Sequence, residues 1–442
     1  MLPLLKANCM HPVDAYEFLH RHSQQEVEKA ATAANNIIGT DYFARLCGQM
    51  VSASLDAEDF RRAFMPFMPR VSHSVVKSYN DQMVQLTAQN WNVYLDAVRG
   101  ENSTKTEKRV ETWKRVLNTR YPIAQTQNEV VWEKGVVKLL RYAAVAGVKR
   151  KGDPLLLNFA IMNTPWVFDL YPGNSFVEYM IARGHDVFLI DWGTPTTAEK
   201  DWTLGTYALQ HLPEIVEEVK RLSGSNTFNM LGWCLGALIA SFYASLRPKD
   251  GIKKLVLLTA PLDFSDENLV FTKWLRHIPV KRLLAQNGGM MPAHMIDAGA
   301  MMLKPIDNGI RKYLAMWSRI DDPKFLEGWW ALNTWVEMIV PICGGAYEQV
   351  VFNMYLGNEF TAGTFMLGNE NPNLATIEAD VLGIIAEADH ITPPSQMERA
   401  FPLIGSKKKK LIRIPGAGHI GVMVGGGAQS KTWPEIERHL SN

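Results

Sequence analysis

The stretch NMLGWCLGA at residues 229–237 contains the pattern Gly-x-Cys-x-Gly, with Cys234 at its centre. An apolar run leads into the pattern, and a second apolar run at residues 235–246 is long enough for a helix. Where a strand turns sharply into a helix, the residue at the turn is strained and its crowded neighbours must be small. We therefore interpret the stretch as a nucleophile elbow in which Cys234 stands in the place of serine, flanked by Gly232 and Gly236.

Cys234 also has the surroundings that a reactive thiol requires. The start of a helix favours an anion, and therefore favours a thiolate over a thiol. The backbone N–H of Leu235 would supply one donor to an oxyanion. The alternative is a buried cysteine beside two packing glycines, and the strand and helix predicted around the pattern favour the functional interpretation.

An elbow of this kind requires an acid and then a histidine further along the chain, each after a late strand. Asp389 follows an apolar run at residues 381–387, and His419 follows another at residues 411–414. The sequence therefore predicts a catalytic triad of Cys234, Asp389 and His419, in which the histidine deprotonates the thiol and the aspartate orients the histidine.

Three other residues compete for roles in this site. Asp263 follows the strand predicted after the elbow, which is another position for the acid. His390 adjoins Asp389 and could either orient it or line the pocket. Cys343 has no strand-to-helix turn around it, so a core thiol is the better interpretation.

Short apolar runs alternate with amphipathic helices after about residue 128, which predicts a largely parallel sheet covered on both faces. Residues 130–142 predict two strands that turn at Gly135. The predicted strands of the sheet lie at residues 155–162, 187–191, 228–231, 255–259, 381–387 and 411–414.

The alternation stops between about residues 262 and 375, a region rich in methionine and tryptophan that we interpret as an inserted cap. We expect a helical N-terminal extension at residues 1–115 and a catalytic domain at residues 116–442 that carries the cap. The boundary is indicated by a polar stretch at residues 101–128, which contains Pro122 near its end.

Composition excludes several classes of protein. The chain has 442 residues, of which 47% are hydrophobic and 21% charged, so it is globular rather than disordered. A formal charge of +1 gives no overall basic field for nucleic acid. No apolar run approaches the ~20 residues of a membrane span, and the lack of paired cysteine spacings favours reduced thiols in the cytoplasm. Phosphate-loop, dinucleotide and metal motifs are absent from the sequence, so we expect no cofactor and no metal. The cysteines are Cys9, Cys47, Cys234 and Cys343.

Taken together, these motifs resemble those of the polyhydroxyalkanoate (PHA) synthases, the cysteine members of the α/β-hydrolase superfamily. The resemblance spans about residues 128–440. The matching segments are the elbow at residues 232–236, PLLLNFAIMNTPWVFDLYPGNSFVEYM at 154–180, DVFLIDWGTP at 186–195, TAPLDF at 259–264, ADHITPP at 388–394 and GAGHIG at 416–421.

The resemblance implies an α/β-hydrolase fold and polymerisation of (R)-3-hydroxyacyl-CoA, with 3-hydroxybutyryl-CoA as the expected monomer. CoA is released while the growing polyester hangs on Cys234. It implies that Asp389 also helps to activate the incoming 3-hydroxyl group. A second oxyanion donor is expected in the loop near Asn163 and Thr164.

The elbow looks most like that of the two-subunit synthases of the class III/IV type, which pair this chain with a smaller partner subunit. Two features depart from that type: Ala237 replaces a usual glycine, and the N-terminal extension is longer than in those subunits. The resemblance further implies a mobile cap, a homodimer and attachment to cytoplasmic polyester granules. The alternatives are a cysteine hydrolase on the same scaffold (a thioesterase, a dienelactone-type hydrolase or an intracellular polyester depolymerase) and a non-catalytic granule protein.

Overall fold

The computed structural model describes residues 103–304, 308 and 312–442. Most of the predicted N-terminal extension therefore lies outside the described residues. The chain divides into two compact units. The described residues of the first unit are 103–121, 301–304, 308 and 312–330. The second unit contains residues 122–300 and 331–442.

Twelve strands are assigned within the described residues, and eight of them form the main sheet. They are β1 (Asn128–Lys134), β2 (Val137–Tyr142), β3 (Leu155–Asn158), β4 (Asp169–Tyr171), β5 (Asn174–Ser175), β6 (Val187–Asp191), β7 (Phe228–Trp233), β8 (Ile252–Leu258), β9 (Met290–Met291), β10 (Ile342–Cys343), β11 (Asp380–Ala386) and β12 (Lys409–Ile414).

Many α-helices of the described residues alternate with the strands along the chain, and others lie in the predicted cap region, residues 262–375. They are α1 (Ser103–Asn118), α2 (Phe176–Ile181), α3 (Leu212–Ser223), α4 (Leu235–Leu246), α5 (Val270–Leu275), α6 (Val280–Gln286), α7 (Ala293–Leu303), α8 (Lys312–Ser318), α9 (Pro323–Val336), α10 (Gly344–Glu348), α11 (Glu359–Ala362), α12 (Pro394–Glu398) and α13 (Trp433–Ser441). Among the described residues, π-helical segments occupy Thr206–His211, Gln349–Leu356 and Ala428–Thr432. None of these helices is long and apolar enough to cross a bilayer.

The main sheet has the strand order β1-β2-β6-β3-β7-β8-β11-β12. The first two pairings, β1 with β2 and β2 with β6, are antiparallel, and the remaining five are parallel. Every residue of β3 and β7 is buried, because the helices cover both faces of the sheet. This arrangement confirms the predicted α/β-hydrolase fold with a mostly parallel sheet.

Most predicted strands differ from the observed ones by one to three residues at an end, and two other predicted features differ more clearly. The strand predicted at residues 155–162 ends at Asn158, because the Asn158 side chain turns to donate to Gly236 O (3.1 Å) and to accept from Trp192 Nε1 (3.0 Å). The polar stretch at residues 101–128 contains helix α1, and the side chains of Trp113 and Val116 on this helix are buried. The second unit begins at Pro122, near the end of that stretch.

The predicted cap region, residues 262–375, does not fall into a single unit. Residues 301–330 belong to the first compact unit, whereas the flanking parts belong to the unit that contains the sheet. The domain boundaries given from the sequence stay a prediction.

Candidate active site

Cys234 lies at the sharp turn between β7 and α4. Its backbone has φ 57° and ψ −128°, a conformation that is rare outside glycine and costs about 1–3 kcal/mol. The turn is held because the Cys234 N–H donates to Leu258 O (3.1 Å), and its carbonyl accepts from the Ala237 and Leu238 amides. The strain therefore sits where a nucleophile elbow requires it.

The two glycines of the motif are required by space. A Cβ at Gly236 would lie 2.3 Å from Asn158 O, and a Cβ at Gly232 would lie 2.5 Å from Ala237 Cα. Both contacts are with backbone atoms, which cannot move aside as a flexible side chain could. Ala237 itself is fully buried.

His419 and Asp389 form a buried hydrogen-bonded pair at the carboxyl edge of the sheet. Asp389 follows β11 and His419 follows β12, and a hydrogen bond from Ala388 N to Ala417 O (2.9 Å) joins their loops. The His419 Nδ1–Asp389 Oδ2 distance is 2.6 Å. The other carboxylate oxygen accepts from the backbone amides of Ile391 and Thr392, which fixes the acid in place.

The surroundings of His419 favour its protonated form. Burial opposes the charge, but Asp389 and Cys234 outweigh burial and raise the pKa of His419 to about 10. With Nδ1 bound to the carboxylate, Nε2 remains to exchange a proton with the thiol. Cys234, Asp389 and His419, which are separated by up to 185 positions in the sequence, are thus brought together.

Asp263, the competing acid, has different partners. Its carboxylate accepts from the Ser265 amide and hydroxyl (3.0 and 2.5 Å) and from Thr361 Oγ1 (2.9 Å). The Asn358 amide group lies 3.4 Å from the same carboxylate. Asp263 therefore joins the loop after β8 to the segment around α11, whereas Asp389 holds the histidine.

The residues expected to bind an oxyanion occupy different positions around the elbow. Leu235 is the first residue of α4, where a backbone N–H has no acceptor within the helix. The Thr164 N–H donates to Asn163 Oδ1 (2.6 Å), and Asn163 forms a β-bridge with Ile339. The end of β3 lies closer to the elbow, since Gly236 packs directly on the backbone of Phe159.

Aromatic rings form one wall beside the candidate triad. Trp233 lies 4.9 Å from Phe159 and 6.0 Å from the His419 ring, measured between ring centroids. Phe168 and Trp335 pack on the same Phe159 ring, at 6.0 and 5.9 Å. The four tryptophan and phenylalanine rings of this aromatic wall are buried, so one side of His419 faces the hydrophobic core.

Tyr355 is a residue of the site that the sequence analysis missed. Burial, followed by the charges of Cys234 and Asp389, raises the pKa of its phenol well above the usual range, which places the phenol near both groups. Its ring packs on Phe264 at 4.7 Å. The π-helical segment that carries it has no recognisable local signature, although such segments often occur at functional sites.

The remaining candidates are placed as follows. His390 is half-buried next to Asp389. Cys343 is fully buried, with its sulfur 3.4 Å from Tyr207 Oη, and burial raises the pKa of this thiol. Within residues 103–304, 308 and 312–442, no group of three or more His, Cys, Asp and Glu side chains could hold a metal ion.

The fold and the elbow define the class of protein: an α/β hydrolase whose nucleophile position is occupied by cysteine. A family model for the α/β hydrolase fold matches residues 167–287, in agreement with the sheet. A second model, described as the N-terminus of poly-beta-hydroxybutyrate polymerase (PhaC), matches residues 62–180.

Curated relatives give the family. A poly(3-hydroxyalkanoate) polymerase subunit PhaC from Thiocystis violacea is 30% identical over 313 residues, covering 71% of this chain and 87% of that protein. The PhaC subunit of Allochromatium vinosum is 29% identical, covering 71% and 88%. That of Haloferax mediterranei is 28% identical, covering 71% of this chain and 63% of the relative. The chain belongs to the PhaC family of poly(3-hydroxyalkanoate) polymerase subunits, which confirms the predicted resemblance.

Proposed function

We propose that this chain polymerises (R)-3-hydroxyacyl-CoA thioesters into polyhydroxyalkanoate through a covalent acyl-Cys234 intermediate, with release of CoA. Membership of the PhaC family supports the activity. The observation that carries the mechanism is the buried His419–Asp389 pair beside a cysteine held in an elbow. A thiol suits this reaction, because exchanging one thioester for another changes the energy little.

At the start of the first step His419 Nε2 already holds the proton of the Cys234 thiol, in keeping with the raised pKa of this histidine. The sulfur of Cys234 then attacks the thioester carbonyl of the substrate. The Leu235 N–H stabilises the oxyanion that forms. The bond between the carbonyl carbon and the CoA sulfur then breaks, and CoA takes the proton from His419. One thioester is formed and one is broken, so no other reactant is needed.

In the second step the 3-hydroxyl group of another unit attacks the acyl-Cys234 thioester. His419, with Asp389 orienting it or assisting directly, accepts the hydroxyl proton. An ester bond forms and the carbon–sulfur bond to Cys234 breaks, so the lengthened chain ends in the CoA thioester of the incoming unit. The sulfur of Cys234 then attacks that thioester as in the first step, which returns the chain to Cys234 and releases CoA with the proton from His419.

The proposal includes partners. The relatives in Thiocystis violacea and Allochromatium vinosum are named as subunits, which supports a second, smaller subunit for this chain as well. We also propose a homodimer and attachment to the polyester granule, since the insoluble product remains covalently bound to the enzyme during elongation. No cofactor or metal enters the proposed steps.

The test is to incubate the purified chain with (R)-3-hydroxybutyryl-CoA, with and without a candidate partner subunit. We expect CoA release together with insoluble polyester, and a mass increase on the peptide that contains Cys234. Cys234→Ala should abolish both, whereas the matched variant Cys343→Ala, at a second buried thiol, should retain activity. Free 3-hydroxybutyrate as the sole product would instead establish a hydrolase.

A further inference from the structure

A cluster of exposed basic side chains lies at the junction of helices α5 and α6. Arg276 and His277 follow α5, and Lys281 and Arg282 lie in the first turn of α6; all four are exposed. We call these four residues the basic turn. Residues 268–296 contain no aspartate or glutamate, although the chain as a whole carries nearly equal numbers of acidic and basic residues. The positive charge is therefore a local feature.

The cations of the basic turn have no anionic partner among the described residues. Elsewhere on the second unit, exposed cations such as Arg221 and Arg438 pair with a glutamate three residues away. Of the acidic residues just before α5, Asp266 is paired with Arg399 at 3.8 Å, and Glu267 is the remaining one. An unpaired group of cations gives a positive potential that attracts an anionic ligand.

Helix α5 connects the basic turn to Tyr355, a residue of the candidate active site. Phe271 of α5 packs on the Tyr355 ring at 5.7 Å, and Thr272 Oγ1 donates to Tyr355 O at 3.4 Å. The Tyr355 phenol lies near Cys234. On the same π-helical segment, Phe352 lies 5.7 Å from the Lys281 ammonium. Helix α5 therefore joins Tyr355 to Arg276 and His277, and the π-helical segment that carries Tyr355 also contacts Lys281.

A ligand with one end at Cys234 and its charges at the surface fits this arrangement. In an acyl-CoA the thioester is separated from the pyrophosphate and the 3′-phosphate by the pantetheine arm. If the pantetheine arm is counted as four peptide-like units, its extended length is about 14 Å. A helix with its side chains is about 10–12 Å wide, so the arm is long enough to reach across one helix. Arginine side chains bind phosphate oxygens through two parallel hydrogen bonds, and lysine adds a point charge.

We propose that the basic turn of Arg276, His277, Lys281 and Arg282 binds the phosphate groups of the CoA substrate while the thioester reaches Cys234. The inference rests on the proposed function, since it assigns a binding site for that reaction's substrate. It separates the roles of the two ends of the substrate: the turn contributes to affinity, and the pocket carries out the chemistry.

The experiment compares two substrates in a triple variant, Arg276→Gln, Lys281→Gln and Arg282→Gln. For (R)-3-hydroxybutyryl-CoA we expect KM to rise about tenfold or more, with kcat nearly unchanged, because phosphate contacts are lost. For the N-acetylcysteamine thioester of the same acid, which carries no phosphate, KM should not change. The control is the double variant Lys407→Gln and Lys408→Gln. These two exposed lysines lie just before β12, the last strand in the order of the sheet. This control should leave both KM values as in the wild type.

Direct binding separates this inference from the proposed function. Calorimetry with CoA itself should give a weaker Kd for the triple variant than for the wild type, whether or not the chain makes polymer. The inference is overturned if both proteins bind CoA equally, or if KM rises to the same degree for the phosphate-free thioester. It is also overturned if the variant loses only binding to anionic phospholipid vesicles, which would assign the turn to a lipid surface.

Discussion

At the scale of single residues, backbone strain is concentrated at the carboxyl edge of the sheet. Cys234 has φ 57° at the end of β7, and Thr259 has φ 41° immediately after the neighbouring β8. For a β-branched residue such as threonine, a positive φ is a genuine outlier. The Thr259 amide is held by Ile384 O at 2.8 Å, so three adjacent strands share in maintaining the strained edge. Strained backbone that neighbouring structure holds in place is typical of catalytic sites.

The protonation of His419 should make stability depend on pH. Its pKa in the folded protein, about 10, lies above the ordinary value of 6.5 for histidine. The contribution to stability is therefore fully present below pH 6.5 and is lost as the pH rises through about 10. We expect the difference in the free energy of unfolding between the wild type and His419→Gln to fall steadily from pH 7 to pH 10, as measured by chemical denaturation.

A second buried histidine provides the control. Burial lowers the pKa of His185 to about 4, so this residue is neutral in the folded protein throughout the same range of pH. The difference between the wild type and His185→Gln should stay constant above pH 7. A His419→Gln difference that also stays constant from pH 7 to pH 10 would contradict the protonated pair.

At the scale of elements, the segment that carries Tyr355 is fastened to the sheet through Asp263. The aspartate, in the loop after β8, accepts from Thr361 Oγ1 on α11, and Phe264 N donates to Asn358 Oδ1 at 2.7 Å. Asn358 lies between the π-helical segment and α11 and has φ 48°. These bonds fix the direction in which the π-helical segment runs past Cys234.

Asp263→Asn should therefore act on structure rather than on proton transfer. The loss of charge-assisted hydrogen bonds from a buried carboxylate should cost about 1–3 kcal/mol of stability, seen as a lower Tm. The pH dependence of kcat should keep its shape, because His419 retains its partner. The matched variant Asp389→Asn should instead alter that pH dependence and lower kcat by orders of magnitude. A changed pH profile in Asp263→Asn would return Asp263 to the role of catalytic acid.

Much of the fold and of the candidate site could be predicted from local patterns. The strand at Val187–Asp191 and the helix at Leu235–Leu246 have the predicted bounds, because their apolar residues mark buried faces. Chain order then indicated where Asp389 and His419 would lie. The end of β3 at Asn158 and the position of Tyr355 could not be predicted, because each depends on contacts with residues far away in the sequence.

At the scale of the whole molecule, the first unit joins two segments that are distant in the chain. Helix α1 contacts residues 312–330 through several side chains. Trp330 Nε1 donates to Thr119 O at 2.9 Å, Tyr121 Oη donates to Glu327 at 2.5 Å, and the Trp113 and Tyr313 rings lie 6.2 Å apart. No local pattern in the sequence indicates that these two segments pair, because each contact joins residues about 200 positions apart.

These contacts predict different outcomes for two truncated proteins. A chain that begins at Ser103 retains α1. A chain that begins at Pro122 lacks α1 and the residues up to Tyr121, and therefore lacks the partners of Tyr313, Glu327 and Trp330. Without α1, the aromatic side chains of residues 312–330 lose their packing and become exposed to water. We expect limited proteolysis, followed by mass spectrometry, to cut within residues 312–330 of the shorter chain at least tenfold faster, since local opening costs less free energy.

Both truncated proteins should retain the sheet and the hydrogen-bonded His419–Asp389 pair, because all of their contacts lie within the second unit. Circular dichroism and the reactivity of Cys234 towards iodoacetamide measure this retention. The variant Trp113→Ala in the full chain serves as an independent check, since it weakens the same packing without shortening the protein. Equal cleavage rates for the chains that begin at Ser103 and Pro122 would show that α1 does not stabilise residues 312–330. The first unit would then not be a cooperative structure.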